Sequence, residues 1–204
     1  MKRIITIGRE FGSGGRELGL LLSEKLQIAY YDQEIITEIA KRTDMSEEYV
    51  RQLSESRPTM SFPIHVRHNF FPIPNPAFQQ GISVYAEQHK LLKELSEKTD
   101  CVIVGRCADY ILRDAHPFRI FVYANTERKL QRCMKRMPKE ENLTEVQMKK
   151  KMTEIDRNRA KYYEFFSEQK WGARENYDLL VNTSQADLQK LSAAIGGYLQ
   201  NIFE

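Results

Sequence analysis

The sequence predicts an α/β fold: a parallel β-sheet with helices on both faces. Two observations predict it. Short, continuous apolar runs alternate with helical segments along the 204 residues, and runs of that kind suit strands covered on both sides. The first run stops at a glycine and opens into a loop with three glycines in four positions, Gly12, Gly14 and Gly15, before a helical pattern begins. Strand, glycine-rich turn and helix form the layout that cradles phosphate, because crowded backbone amides and a helix N-terminus both favour an anion.

The elements follow in order. Residues 3–7 form the first strand, and Leu18, Leu21, Leu22 and Leu26 mark the helix after the loop. Residues 28–31 make an edge strand. Residues 33–42 and 46–55 read as helices, the second capped by Ser46. Residues 57–76 hold five of the seven prolines and no acidic residue, so they form neither a regular helix nor a central strand. A loop of that length reads as a lid, a binding arm or a partly disordered segment. Helix resumes over 78–98. Strands follow at 101–105 and 118–123, then a helix over 126–136 capped by Thr126, a long charged helix over 143–170, a strand at 177–182, and a closing helix over 186–203. Crossovers of this kind are right-handed, and ligands sit at the carboxyl ends of the strands.

Bulk properties narrow the function. Lys and Arg total 31 against 28 for Asp and Glu, a balance that argues against a dedicated nucleic-acid binder. Cys101, Cys107 and Cys133 are too few and too scattered for a disulfide framework. No apolar run approaches the ~20 residues that span a bilayer, and the chain opens directly into a strand with no signal peptide. The expectation is a cytoplasmic protein that acts without nucleic acid or membrane; a homo-oligomer is left open.

The phosphate loop departs from the common pattern G-x-x-x-x-G-K-[ST], whose lysine meets the terminal phosphates and whose hydroxyl meets Mg²⁺. No lysine lies near the loop. Gly8 and Gly14 are one residue too far apart, Arg16 is the nearby cation, and Glu17 follows it where a hydroxyl is expected. Gly12, Ser13, Gly14, Gly15, Arg16 and Glu17 are therefore the candidate phosphate-binding residues. Arg16 sits badly for the helix dipole unless an anion is bound there.

Other candidates each carry an ordinary alternative. Asp156, Arg157, Asn158 and Arg159 could be a solvated helix face, but Arg157, Arg159 and Lys161 together suit a lid closing over phosphates, which guanidinium groups bind bidentately. Arg106, after Gly105 at a strand end, either points into a ligand site or starts a helix at the surface. Asp32 and Glu10 could position Mg²⁺ or a substrate hydroxyl; Asp32 could equally cap the helix that follows. His65 and His68 have no Cys or carboxylate partners nearby, so no metal site is expected there. Tyr162, Tyr163, Phe165 and Phe166 read as packing.

The opening run from Ile5 to Glu17 closely resembles the cytidylate kinase-like family, P-loop relatives of bacterial cytidylate kinase. The resemblance continues in Tyr30-Tyr31-Asp32, in the run from Val102 to Leu112, and in the run from Tyr177 to Ser184. Asp156-Arg157-Asn158-Arg159 is similar to the Asp-Arg-x-Arg lid of true cytidylate kinases, and Gly105-Arg106 to their Gly-Arg-Asp turn. The resemblance implies a three-layer P-loop NTPase fold of nucleoside-monophosphate-kinase type: one domain over 1–204, with an acceptor-binding arm at 33–98 and a lid at 126–170. It implies ATP and Mg²⁺, and a nucleoside monophosphate such as CMP as acceptor. Arg16, Arg106, Arg157 and Arg159 would then serve catalysis, and Asp32, Arg106, Asp156 and Arg159 would meet the acceptor. Two departures stand out: the loop lysine is absent, and the Asp-Gly-Arg-Asp strand end reads Val104-Gly105-Arg106-Cys107. The rival readings are a non-catalytic nucleotide- or anion-binding protein on the same fold, and a kinase for a non-nucleotide acceptor.

Overall fold

The computed structural model describes residues 2–55, 76–138 and 141–203. Five parallel strands form one sheet: β1 (Ile4–Arg9), β2 (Ala29–Tyr31), β3 (Cys101–Val104), β4 (Phe118–Tyr123) and β5 (Leu179–Asn182), in spatial order β2-β3-β1-β4-β5. β1 lies at the centre, so its carboxyl end and the loop after it sit in the middle of the ligand-binding edge.

Side chains alternate across this sheet. Ile5 and Ile7 of β1 and Val102 and Val104 of β3 face helices α1 (Gly15–Leu26) and α8 (Leu188–Phe203), where they meet Leu18, Leu22, Ile195 and Leu199. Ile4, Cys101 and Ile103 face the other way. There they pack on α2 (Gln33–Thr43), α3 (Glu47–Glu55) and α4 (Pro76–Lys98) through Ile35, Ile36, Ile39, Val50, Leu91 and Leu92. The one-turn helix α5 (Ala108–Ile111) closes that core. Two further helices, α6 (Thr126–Arg136) and α7 (Glu145–Ser167), share a small core of their own, built from Leu130, Cys133, Met148 and Met152.

Several boundaries differ from the sequence reading, each for a physical reason. β1 runs on through Gly8 and Arg9 because the ladder to β4 continues there, Gly8 opposite Phe121 and Arg9 opposite Val122, after the apolar pattern stops. β5 starts at Leu179, opposite Ile120, where its register with β4 begins. α6 is capped by Asn125, whose side chain accepts the Arg128 amide, and Thr126 is its first residue. α7 starts later than residue 143 because Thr144 and Gln147 form a capping box, and it stops at Ser167 where Glu168 turns left-handed. Ser46 does cap α3, accepting the Tyr49 amide.

α4 opens on Pro76, a residue suited to a first helical turn. The rest of the proline-rich segment, with His65 and His68, lies outside the described residues. Cys101, Cys107 and Cys133 are free thiols. Among the described residues no helix is long and apolar enough to cross a membrane.

Candidate active site

The loop after β1 is shaped by what presses on it. A Cβ at Gly12 would sit 2.7 Å from the Cys133 sulfur and 2.9 Å from the Lys129 carbonyl, so α6 lies directly against the loop backbone. Ser13 is fully buried beneath it. Its hydroxyl donates to the Glu10 carbonyl (2.8 Å), and its own carbonyl accepts from the Thr183 hydroxyl (2.5 Å) and from Arg132 Nη1 (2.9 Å). Gly14 caps α1, and the first amides of that helix, at Gly15 and Arg16, have no intrahelical partner. Gly12, Gly14, Gly15 and Arg16 line a cavity of about 320 Å³.

Among the described residues, eight cations border this cavity: Arg9, Arg16, Arg51, Arg106, Arg132, Arg136, Lys151 and Arg159. Three carboxylates join them: Glu10, Asp32 and Glu141. Asp32 is 3% exposed. It forms an ion pair with Arg16 and lies 3.9 Å from Arg9 Nη2. It occupies the N-cap position of α2 but makes no capping hydrogen bond, because its side chain turns toward the cavity. Turned to satisfy its neighbours, the Gln33 amide oxygen accepts from Arg16 and Arg51.

Arg9 and Arg106 depend on an unusual turn. Gly105, Arg106 and Cys107 are all left-handed, with φ of 76°, 61° and 51°. A Cβ on Gly105 would fall 1.6 Å from Arg9 Nη1, so the Arg9 guanidinium occupies the space that only glycine leaves there. Arg106 is buried, and its carbonyl accepts from the Gln88 amide (2.9 Å).

The α6–α7 pair grips the loop from the side. Asp156 Oδ1 accepts the Phe11 amide (2.6 Å), and Asp156 Oδ2 takes Lys129 Nζ (3.1 Å). Lys129 also meets Glu10 Oε2 (3.0 Å). Burial disfavours the Lys129 ammonium, but Asp156 and Glu10 outweigh it and raise its pKa above the ordinary lysine value. Arg159 donates to the Arg9 carbonyl (3.3 Å) and stands 5.7 Å from the Phe11 ring centre. Arg157, two residues earlier on the helix, is exposed and lines none of the described cavities.

Two further features adjoin the cavity. Arg9, Arg106 and Arg159 also wall a second space of about 40 Å³, with Asp109, Tyr163, Trp171 and Tyr177. Burial pushes the Asp109 carboxyl up, against the hydrogen bond it accepts from the Tyr163 hydroxyl (2.8 Å). On the opposite flank, Arg132 and Arg136 border an open cleft of about 820 Å³ between α6 and residues 185–189.

The structure thus brings Gly12, Gly14, Gly15, Arg16, Asp32, Arg106 and Arg159 to one cavity. It sets Ser13 beneath the loop, Asp156 beside it, and Glu17 in the open cleft, paired with Arg136. Sequence reasoning missed Arg9, Arg51, Lys129, Arg132, Arg136 and Lys151. A signal existed for two of these: Arg132 and Arg136 stand four apart on α6 and share a face.

The loop and its free amides fit nucleotide phosphates. A Mg²⁺ carried in with the nucleotide would take most of its ligands from phosphate and water; of the carboxylates near the loop, Glu10, Asp32 and Glu17 are each paired with a cation, and the Ser13 hydroxyl donates to the Glu10 carbonyl.

Comparison with known proteins bears on the family and the fold. The model of the cytidylate kinase-like family matches residues 4–185. An uncharacterized protein from Eubacterium ventriosum is similar in structure, with a TM-score of 0.70 and 27% identity over 98% of this chain and 99% of that one. Shikimate kinase from Acinetobacter baumannii, solved with shikimate, has a TM-score of 0.55 and 17% identity over 98% of this chain and 94% of its own. Shikimate kinase from Bacteroides thetaiotaomicron has a TM-score of 0.58 and 13% identity over 98% of each chain. These last two share the P-loop kinase fold. A search of curated proteins found no match.

Proposed function

We propose that this chain, which belongs to the cytidylate kinase-like family, is an ATP-dependent kinase for a small anionic acceptor, with a nucleoside monophosphate such as CMP as the first candidate. One observation carries the reading: a buried carboxylate, Asp32, faces the amides of a phosphate-type loop across a cavity rich in guanidinium groups. ATP would supply the transferable phosphoryl group. The amides of Gly14, Gly15 and Arg16 bind its phosphates, and the cleft beside α6 has room for the rest of the nucleotide, since Arg132 and Arg136 border both spaces. Arg51, Arg106 and Arg159 hold the acceptor's anionic group. With CMP the attacking atom is an oxygen of its phosphate, which the arginines would align while Asp32 orients the rest of the acceptor; with a hydroxyl acceptor, Asp32 would orient the hydroxyl and receive its proton. Arg16, paired with Asp32, takes the place of the loop lysine as the cation nearest the donor. Arg157 could join them only by a movement of the lid. Catalysis of this kind rests on positioning and on charge stabilisation, with no covalent enzyme intermediate.

The absent loop lysine and the paired carboxylates favour a second reading, a nucleotide-binding protein that does not transfer. A third reading, a non-nucleotide acceptor, is favoured by Arg51 and Arg106, which would receive a carboxylate as readily as a phosphate. The test is a thermal melt with ATP, followed by assay of ATP consumption with CMP, UMP and shikimate. Ligand at a hundredfold excess over Kd stabilises by about 2.7 kcal/mol, which raises Tm by roughly 5–11 °C for a chain of this size. No shift with ATP rejects the kinase and the binder alike. A shift without consumption by any acceptor favours the binder.

A further inference from the structure

The loop lacks the lysine that would brace it from within, and it is braced from outside instead. α6 and α7 contact nearly every residue from 9 to 13. Arg159 holds the Arg9 carbonyl, Lys129 holds Glu10, Asp156 holds the Phe11 amide, and Arg132 holds the Ser13 carbonyl. The Phe11 ring packs into the Met148–Met152 core of the same two helices. Asp156 and Lys129 are central to this brace and largely buried, with side chains 16% and 12% exposed. Neither lines the cavity that the loop amides open onto.

We propose that Asp156 and Lys129 are positioning residues for the donor phosphates: they fix the loop in its binding shape and act through its backbone, with no contact to the acceptor. The idea rests on the loop being the donor site. A carboxylate that accepts the Phe11 amide and an ammonium shared between that carboxylate and Glu10 fix two successive residues of the loop against one helix pair. The lid and the loop therefore move as a unit, and loop order depends on the lid even before any acceptor binds.

The test uses the full chain and ADP as the probe, with affinity read by calorimetry and folding by thermal melt. Asp156→Ala and Lys129→Met should each weaken ADP binding by about tenfold or more, the order expected for a lost charged hydrogen bond. The double variant should lose little more than either single one, because the two groups act as one unit. Asp156→Asn keeps an oxygen for the Phe11 amide and should recover part of the loss. It also serves as the conservative variant if Asp156→Ala does not fold. A lower Tm with unchanged ADP affinity in the folded variants would make the cluster purely structural and overturn the proposal. So would tighter ADP binding by Asp156→Asn, which would mean that the carboxylate competes with phosphate. If wild-type protein binds no ADP, the donor-site reading fails and the proposal falls with it; if wild type binds and the variants match it, only the proposal fails.

Discussion

Replacing Gly105 with alanine perturbs the site at one point whose consequences can be worked out. The backbone there has φ of +76°, and the new Cβ would lie 1.6 Å from Nη1 and 2.6 Å from Cζ of Arg9. The left-handed conformation alone costs an L-residue about 1–2 kcal/mol. At roughly 2–4 °C per kcal/mol for a chain of this size, Tm should fall by about 2–8 °C. The clash adds a second effect, because the Arg9 guanidinium must leave its place. Asp32 then keeps its ion pair with Arg16 but loses Arg9, and the cavity loses a cation at the carboxyl end of its central strand. ADP affinity and turnover should both drop. The decisive measurement repeats Gly105→Ala in an Arg9→Ala background, where the clash is gone and only the backbone cost remains. The stability loss should shrink there. An equal loss in both backgrounds would show that Arg9 does not fill the space above Gly105 and would refute the reasoning.

Two further outcomes are expected. Arg159→Ala should lower turnover by about 10²-fold or more, the order seen when one donor to developing charge is removed, while Tm stays within a few degrees of wild type; steady-state kinetics at wild-type rates would remove Arg159 from the site. For pH, burial works to raise the Asp178 carboxyl, but hydrogen bonds from the Arg119 side chain and amide outweigh it and hold it below its usual value near 3.8. A carboxyl lowered in the folded state stabilises the fold above that usual value, and the contribution fades as pH falls through the lowered native value. Acid denaturation of Arg119→Leu should lack that part of the wild-type slope, and superimposable curves would count against the pair.

The sheet was legible because each strand is a short, mostly apolar run flanked by helical periodicity, and both signals are local. The loop was legible for the same reason, since its glycines sit between an apolar strand and a leucine-rich helix. Caps were less so: Asn125 and Thr126 are adjacent and both able to cap, and only the chain's path selects Asn125. Asp32 looked like a cap because it precedes a helix, yet two arginines from β1 and α1 draw its side chain the other way. Arg51 and Lys151 come from segments about a hundred residues apart in sequence, and no spacing rule announces that they border one cavity. The role of Lys129 was invisible for a related reason: the loop lacks a lysine in sequence, but α6 brings one in space.

The turn at residues 105–107 also bears on how this protein would respond to selection. Arg106 and Cys107 hold a backbone shape that glycine adopts freely and other residues resist. Glycine at either position would relieve about 1–2 kcal/mol of unfavourable conformation, set against the loss of a buried side chain. At position 107 the loss is of core packing and not of charge. At position 106 the substitution deletes a guanidinium from the wall shared by both cavities, so any variant that survives a heat selection there would be the poorer binder. Thermostability screens on this chain can therefore drift away from activity at one identifiable residue unless Arg106 is held fixed.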